Sequence, residues 1–152
     1  MTSEREVTAI HEAGHCLVKE RLGYRVSEAW IDSNNDENGK TRLEFKAWLK
    51  RCIRCFSNPE ENVMIIISGD VVQKQFFPDS EILPSDKRDL NNFILRFRNV
   101  DVEKSNQELQ KILSKGRNLE VIKEIAQILD TDGKITGQEI RAIIVRIDLS
   151  PL

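Results

Sequence analysis

The chain holds two histidines, and they stand four residues apart in His11-Glu12-Ala13-Gly14-His15. On a helix, positions four apart leave the same face one turn apart. Both imidazoles can then grip one zinc ion, with Glu12 beside the water that completes its coordination. This His-Glu-x-x-His arrangement is the one that metalloproteases use for zinc-assisted hydrolysis. The ion lowers the pKa of a water to about 7 and polarises the scissile carbonyl. Glu12 is then the general base, accepting the proton and returning it to the leaving amine. Zinc needs a third protein ligand. With no third histidine in the chain, that ligand must be an Asp, Glu or Cys.

The motif needs a rigid helix beneath it, and the sequence provides one. Ser3 and Glu6 form a Ser-x-x-Glu capping box. Val7, Ile10, Gly14, Leu17 and Val18 recur at helical spacing to about Leu22, and Gly23 ends the run. Gly14 costs a helix interior about 1 kcal/mol relative to alanine, which predicts another backbone packed closely against it. Val26 to Asp32 and Thr41 to Phe45 read as two strands of a hairpin, joined by a long polar loop from Ser33 to Lys40 with an Asn-Gly step. Residues 46–56 fit either a helix or a bulged strand. Asn58-Pro59-Glu60-Glu61 opens a helix that runs to about Phe76. Ser85 caps another from Asp86, with Leu90, Phe93, Ile94 and Phe97 on one face. Further helices are predicted over about Asn106–Lys115, Leu119–Leu129 and Gly137–Ile147, with Asp130–Gly133 a turn.

Bulk composition narrows the function classes. A chain of 152 residues, 39% hydrophobic and 32% charged, has the size and content of one ordinary globular domain, residues 1–152. A net charge of −2 speaks against nucleic acid as a partner. The basic stretch Lys46, Lys50, Arg51 and Arg54 reads as a solvated face. The apolar run Val63–Ile67 is too short to span a bilayer, so no membrane segment is expected. The charged N-terminus lacks the pattern of a signal peptide, and three cysteines, an odd count, fit a reducing compartment. The expectation is a cytoplasmic protein.

Two other motifs compete for attention. Cys52-Ile53-Arg54-Cys55 has metal-ligand spacing but no second pair, and reads as two unpaired thiols; Cys16 reads as core. Asp130, Asp132, Gly133, Ile135 and Glu139 fall at positions three, five, six, eight and twelve of an EF-hand loop. Ile128 at position one offers no side-chain oxygen, which weighs against a calcium-responsive module. Gly39-Lys40-Thr41 mimics the end of a Walker A loop, but Asn34 stands where the first glycine is required, and the segment reads as hairpin loop.

The stretch Ala9-Ile10-His11-Glu12-Ala13-Gly14-His15-Cys16-Leu17-Val18 resembles the zinc-motif helix of the FtsH-type metallopeptidases. Later segments resemble that family's domain in order: the hairpin from Val26, the glycine-containing Ile67-Ser68-Gly69-Asp70-Val71-Val72, the Ser85-Asp86 helix, and Leu119–Ile144. The resemblance implies a mainly α (α+β) fold with a small hairpin or sheet packed near the motif helix. It implies a zinc-dependent endopeptidase, a hydrolase of unfolded or flexible polypeptides. It also implies that the third ligand is an aspartate at a helix start. Asp86 and Asp89 compete for that place, and Asp86 sets Leu90, Phe93, Ile94 and Phe97 at the family's buried offsets. The expected zinc ligands are therefore His11, His15 and Asp86. The family's ATPase module and membrane anchor have no counterpart in these residues, so activity without ATP is expected, with a separate ATPase or regulator as a conceivable partner. The competing expectation is a non-catalytic zinc-containing interaction domain derived from such a peptidase.

Overall fold

The Ser3 hydroxyl accepts from the Glu6 backbone N–H at 3.1 Å, and the Glu6 carboxylate accepts from the Ser3 N–H at 2.9 Å. This capping box opens helix α1 (Glu4–Arg21). The computed structural model describes residues 2–82 and 84–151. After α1 come β1 (Val26–Asp32), β2 (Asn35–Leu43), α2 (Phe45–Ser57), α3 (Pro59–Phe76), α4 (Pro84–Arg96), α5 (Val102–Ser114), α6 (Asn118–Asp132), β3 (Lys134–Thr136) and α7 (Gly137–Leu149). The protein is mainly helical, with one small antiparallel sheet in the order β2-β1-β3.

Helix α1 is central. It packs against α3 on one side, α6 on another and the sheet on a third. Every residue from Thr8 to Lys19 is buried, so the motif lies inside the molecule. The main core joins Leu17 and Val18 of α1 to Val26, Ala29, Leu109, Ile122, Ile125, Leu129, Ile135 and Ile140. Burial of each Leu, Ile or Val side chain contributes roughly 1.5–3 kcal/mol, and this cluster is the platform on which α1 is fixed. Gly14 lies where α3 crosses: a Cβ there would meet Val72 Cβ at 2.9 Å and Ser68 O at 3.1 Å. The close backbone expected from its position is α3.

Several elements differ from the sequence expectations. The hairpin has no long loop: β2 starts at Asn35, and only Ser33 and Asn34 make the turn, with Asp32 Oδ1 accepting from the Asn34 N–H at 2.9 Å. Gly39-Lys40-Thr41 is therefore strand. Phe45 is the first residue of α2, which settles residues 46–56 as helix. Helix α4 starts at Pro84, ahead of Ser85. Helix α6 continues through Asp130 to Asp132, and the short β3 follows it. The EF-hand positions are thus split among a helix, a strand and a cap. Glu139 is committed to the Thr136 capping box of α7.

Candidate metal centre

Three side chains converge at the inner face of α1. His11 and His15 project one turn apart, their Nε2 atoms 3.2 Å from each other. Asp86, in the first turn of α4, brings Oδ2 to 2.8 Å from His11 Nε2 and 3.1 Å from His15 Nε2. These separations lie near the edge of a tetrahedron around zinc, about 3.3 Å for ligands at ~2.0 Å. The three are the one group among the described residues that could hold a metal ion. Asp89, a turn further along α4, lines the adjoining cleft but stands outside the group. Asp130, Asp132 and Glu139 form no such group, and neither do Cys52 and Cys55.

The outer nitrogens are held by partners that set the tautomers. His11 Nδ1 lies 3.0 Å from Gln73 Oε1. The Gln73 amide is itself fixed, donating to Ser80 Oγ at 2.9 Å and Glu81 O at 2.7 Å. Its oxygen must therefore face His11, and His11 Nδ1 must carry a proton. His15 Nδ1–H is shared between Ser68 Oγ at 2.9 Å and Ile65 O at 3.0 Å. Nε2 of both rings faces inward, so that loss of its proton would present a lone pair to a metal, the arrangement in which histidines bind one. The fit extends to the opposite wall. A Cβ on Gly69 would lie 2.4 Å from His11 Nε2 and 2.5 Å from His15 Nε2. Only glycine lets α3 pass this close to the two rings.

Charge concentrates at the site. Burial lowers the pKa of His11, but the Asp86 hydrogen bond and the charges of Glu12, Asp86 and Asp70 outweigh it and push it up to about 9. Burial raises Asp86, but the hydrogen bonds from His11 and His15 prevail and hold its carboxyl far below the ordinary carboxylate range. Asp70 is pushed up to about 6 by burial and by the Asp86 charge. Its Oδ1 is buried without a hydrogen-bond partner and lies 3.6 Å from His11 Nδ1. The donor set of two imidazoles and a carboxylate, with a further unpartnered carboxylate oxygen close by, could hold a metal cation.

Glu12 sits beside the group, only 6% exposed. The Thr41 hydroxyl of β2 donates to Glu12 Oε2 at 2.7 Å. A Cβ on Gly39 would lie 2.5 Å from Glu12 Cγ, so the edge strand runs directly past this carboxylate. A cleft of 320 Å³ opens here between Glu12, His15 and Asp86 on one side and Gly39–Thr41 on the other. Lys19 and Arg51 also line it. Burial, with the Arg51 charge, brings Lys19 down to about 8. Cys16 is core, its thiol pushed up to about 12 by burial.

Sequence reasoning missed Gln73, Ser68, Lys19 and Thr41. The signal for the first two was polar residues on the buried side of α3, among Val63, Met64, Ile65 and Val72. Lys19 carried a weaker one, a lysine one turn beyond His15 on the same face as the motif.

No protein-family model matches the chain, and no curated protein is significantly similar to it.

Proposed function

We propose that this protein is a zinc-dependent endopeptidase that cleaves unfolded or flexible polypeptides, with His11, His15 and Asp86 as metal ligands and Glu12 as general base. The observation that carries the reading is the convergence of two inward Nε2 atoms and one carboxylate oxygen beside a buried glutamate, at the wall of an open cleft. The group offers three protein donors among the described residues, the number found in catalytic zinc sites, where structural sites use four. Bound zinc would polarise a carbonyl and make water a nucleophile near neutral pH.

The chain's own residues supply the rest. The Thr41 hydroxyl holds one oxygen of Glu12, a residue that lines the cleft and can there take a proton and pass it to a leaving amine. Lys19 is a buried cation on the cleft wall, placed to stabilise negative charge on a carbonyl oxygen. β2 is the outer strand of the sheet, and its edge can pair with an extended peptide. The paired edge is Asn35–Leu43, since Phe45 belongs to α2. Strand pairing of this kind requires an extended segment, hence the preference for unfolded or flexible chains. The FtsH-type resemblance supports the same reading through the order of its parts: motif helix, hairpin, glycine-bearing helix, aspartate at a helix start.

The test compares wild type with Glu12→Gln, both loaded with zinc, on a reduced and alkylated protein substrate. Glu12→Gln should keep stoichiometric zinc and lose at least ~100-fold in rate. Equal rates would remove Glu12 from the mechanism. Zinc binding by wild type with no cleavage of any unfolded substrate would turn the reading to the interaction domain.

A further inference from the structure

Helix α2 is inverted relative to the usual amphipathic surface helix. Its small and polar face is the one turned to the body. Ala47, 7% exposed, packs with Tyr24 and Ile65 in a second small core. Arg51 Nε donates to Asn62 Oδ1 at 2.7 Å, and Arg54 pairs with Glu61 at 2.9 Å. The opposite face carries Phe45 (73% exposed), Trp48, Leu49, Ile53 and Phe56 (73% exposed). At 100° per residue these form one stripe along the whole helix. The exposed Cys52 lies within it. Five clefts of 320–740 Å³ among the described residues are lined by none of these side chains, and at 44–73% exposure the stripe stands out from the surface as a ridge.

Charge selects the occupant. α2 contains four cations and no acid, in a chain whose net charge is −2. Lys46 and Lys50, one turn apart and both exposed, border the stripe. Pairing with a second copy about a two-fold axis would set one cationic helix against another. An apolar peptide would need a groove, and the ridge offers none. A helix with aromatic and aliphatic residues on one face, lysines at the border and low mean hydropathy is suited to a flat, anionic lipid interface. We propose that α2 seats this protein on the surface of an anionic phospholipid bilayer, its Phe45–Phe56 stripe entering the headgroup layer and Lys46 and Lys50 meeting the lipid phosphates. The helix lies on the bilayer and does not cross it: among the described residues no helix is long and apolar enough to span. This inference is independent of the peptidase reading.

The test uses the full chain and phosphatidylcholine vesicles with or without phosphatidylglycerol. The chain has two tryptophans, Trp30 and Trp48, so Trp30→Phe makes emission report on α2 alone. Co-sedimentation with the anionic vesicles and a blue shift of Trp48 are expected, with little binding to neutral vesicles. Replacing Lys46 and Lys50 by Gln should weaken partitioning on the order of 30-fold, about fivefold per lysine. Leu49→Glu with Ile53→Glu should abolish binding while leaving the circular dichroism native, since both side chains are exposed and neither is in a core. Absence of binding to anionic vesicles by the natively folded chain would overturn the proposal. So would equal binding to both vesicle types, stripe-dependent self-association in sedimentation velocity, or stripe-dependent capture of an unfolded polypeptide without vesicle binding.

Discussion

At the scale of single residues, the site is governed by competition between a proton and a metal for His11. In the metal-free chain burial disfavours the imidazolium, but Asp86, Glu12 and Asp70 outweigh it, and the pKa rises to about 9. Near pH 7 the ring is thus protonated, and a metal must displace that proton from Nε2. Zinc affinity is therefore expected to climb by up to ~tenfold per pH unit between pH 7 and about 9 and then level off. Calorimetric titration in buffers of different ionisation enthalpy should count close to one proton released from this group at pH 7 and fewer above pH 9. The sign for stability follows from the same shift. A folded pKa above the unfolded value of about 6.5 gives stability that is complete below pH 6.5 and is lost as pH rises through 9. The Tm of the metal-free chain should fall across that window from this group, and saturating zinc should remove the dependence. A proton count of zero at pH 7 would mean that Asp86 does not charge His11 in the way its 2.8 Å contact indicates.

At the scale of elements, the proposed metal centre is a crossing of α1 and α3 held close by glycine on both helices. Gly14 admits Ser68 O and Val72, and Gly69 admits the two imidazoles. Gly69→Ala tests this directly. Its methyl group would sit 2.4–2.5 Å from both Nε2 atoms, so α3 must shift or the rings must turn. The expected cost is about 1–3 kcal/mol in denaturant melts, with zinc affinity lowered at least tenfold as the rings leave Gln73 and Ser68. Unchanged affinity in a zinc competition assay would show that α3 does not set the ring positions. The same elements show what the sequence made readable. Helix α1 was legible because Ser3, Glu6 and the apolar spacing from Val7 agree, whereas Asp86 was singled out through the resemblance, whose buried offsets Leu90, Phe93, Ile94 and Phe97 fit. The first half of β2 was not, because Asn35, Asp36 and Asn38 are turn-forming types and the segment is exposed on an edge strand. They carry no alternation to read. Three-residue β3 lies below the length at which a pattern exists. α2 was ambiguous because its apolar face looks outward, and one residue, Ala47, marks its buried side. Gln73 and Ser68 become significant only once α3 is laid across α1, since nothing local in sequence ties them to His11 and His15.

At the scale of the whole molecule, the core and the site are unevenly anchored. α1 is locked between α3, α6 and the sheet, with Leu17 and Val18 fully buried. α4 has no buried residue among those described and packs on α3. Its Asp86 is nevertheless the residue that must meet two histidines from the centre of the protein. A metal would therefore act as a rivet between the most stable helix and one of the least. Local opening free energies follow buried apolar contact, which ranks α4 well below α1 and α6 without metal. Hydrogen exchange with and without a chelator should show this as faster exchange across Pro84–Arg96 on metal removal, while Leu17, Val18 and Ile122 keep their protection. The global effect follows from mass action. Free zinc at a hundred times its Kd should raise the stability of the native state by ~2.7 kcal/mol, and chelation should withdraw it. Asp86→Asn should place α4 in the loosened state whether zinc is present or not. Should α4 exchange at the same rate with and without zinc, Asp86 would not be a ligand, and the proposed centre would lose its third arm.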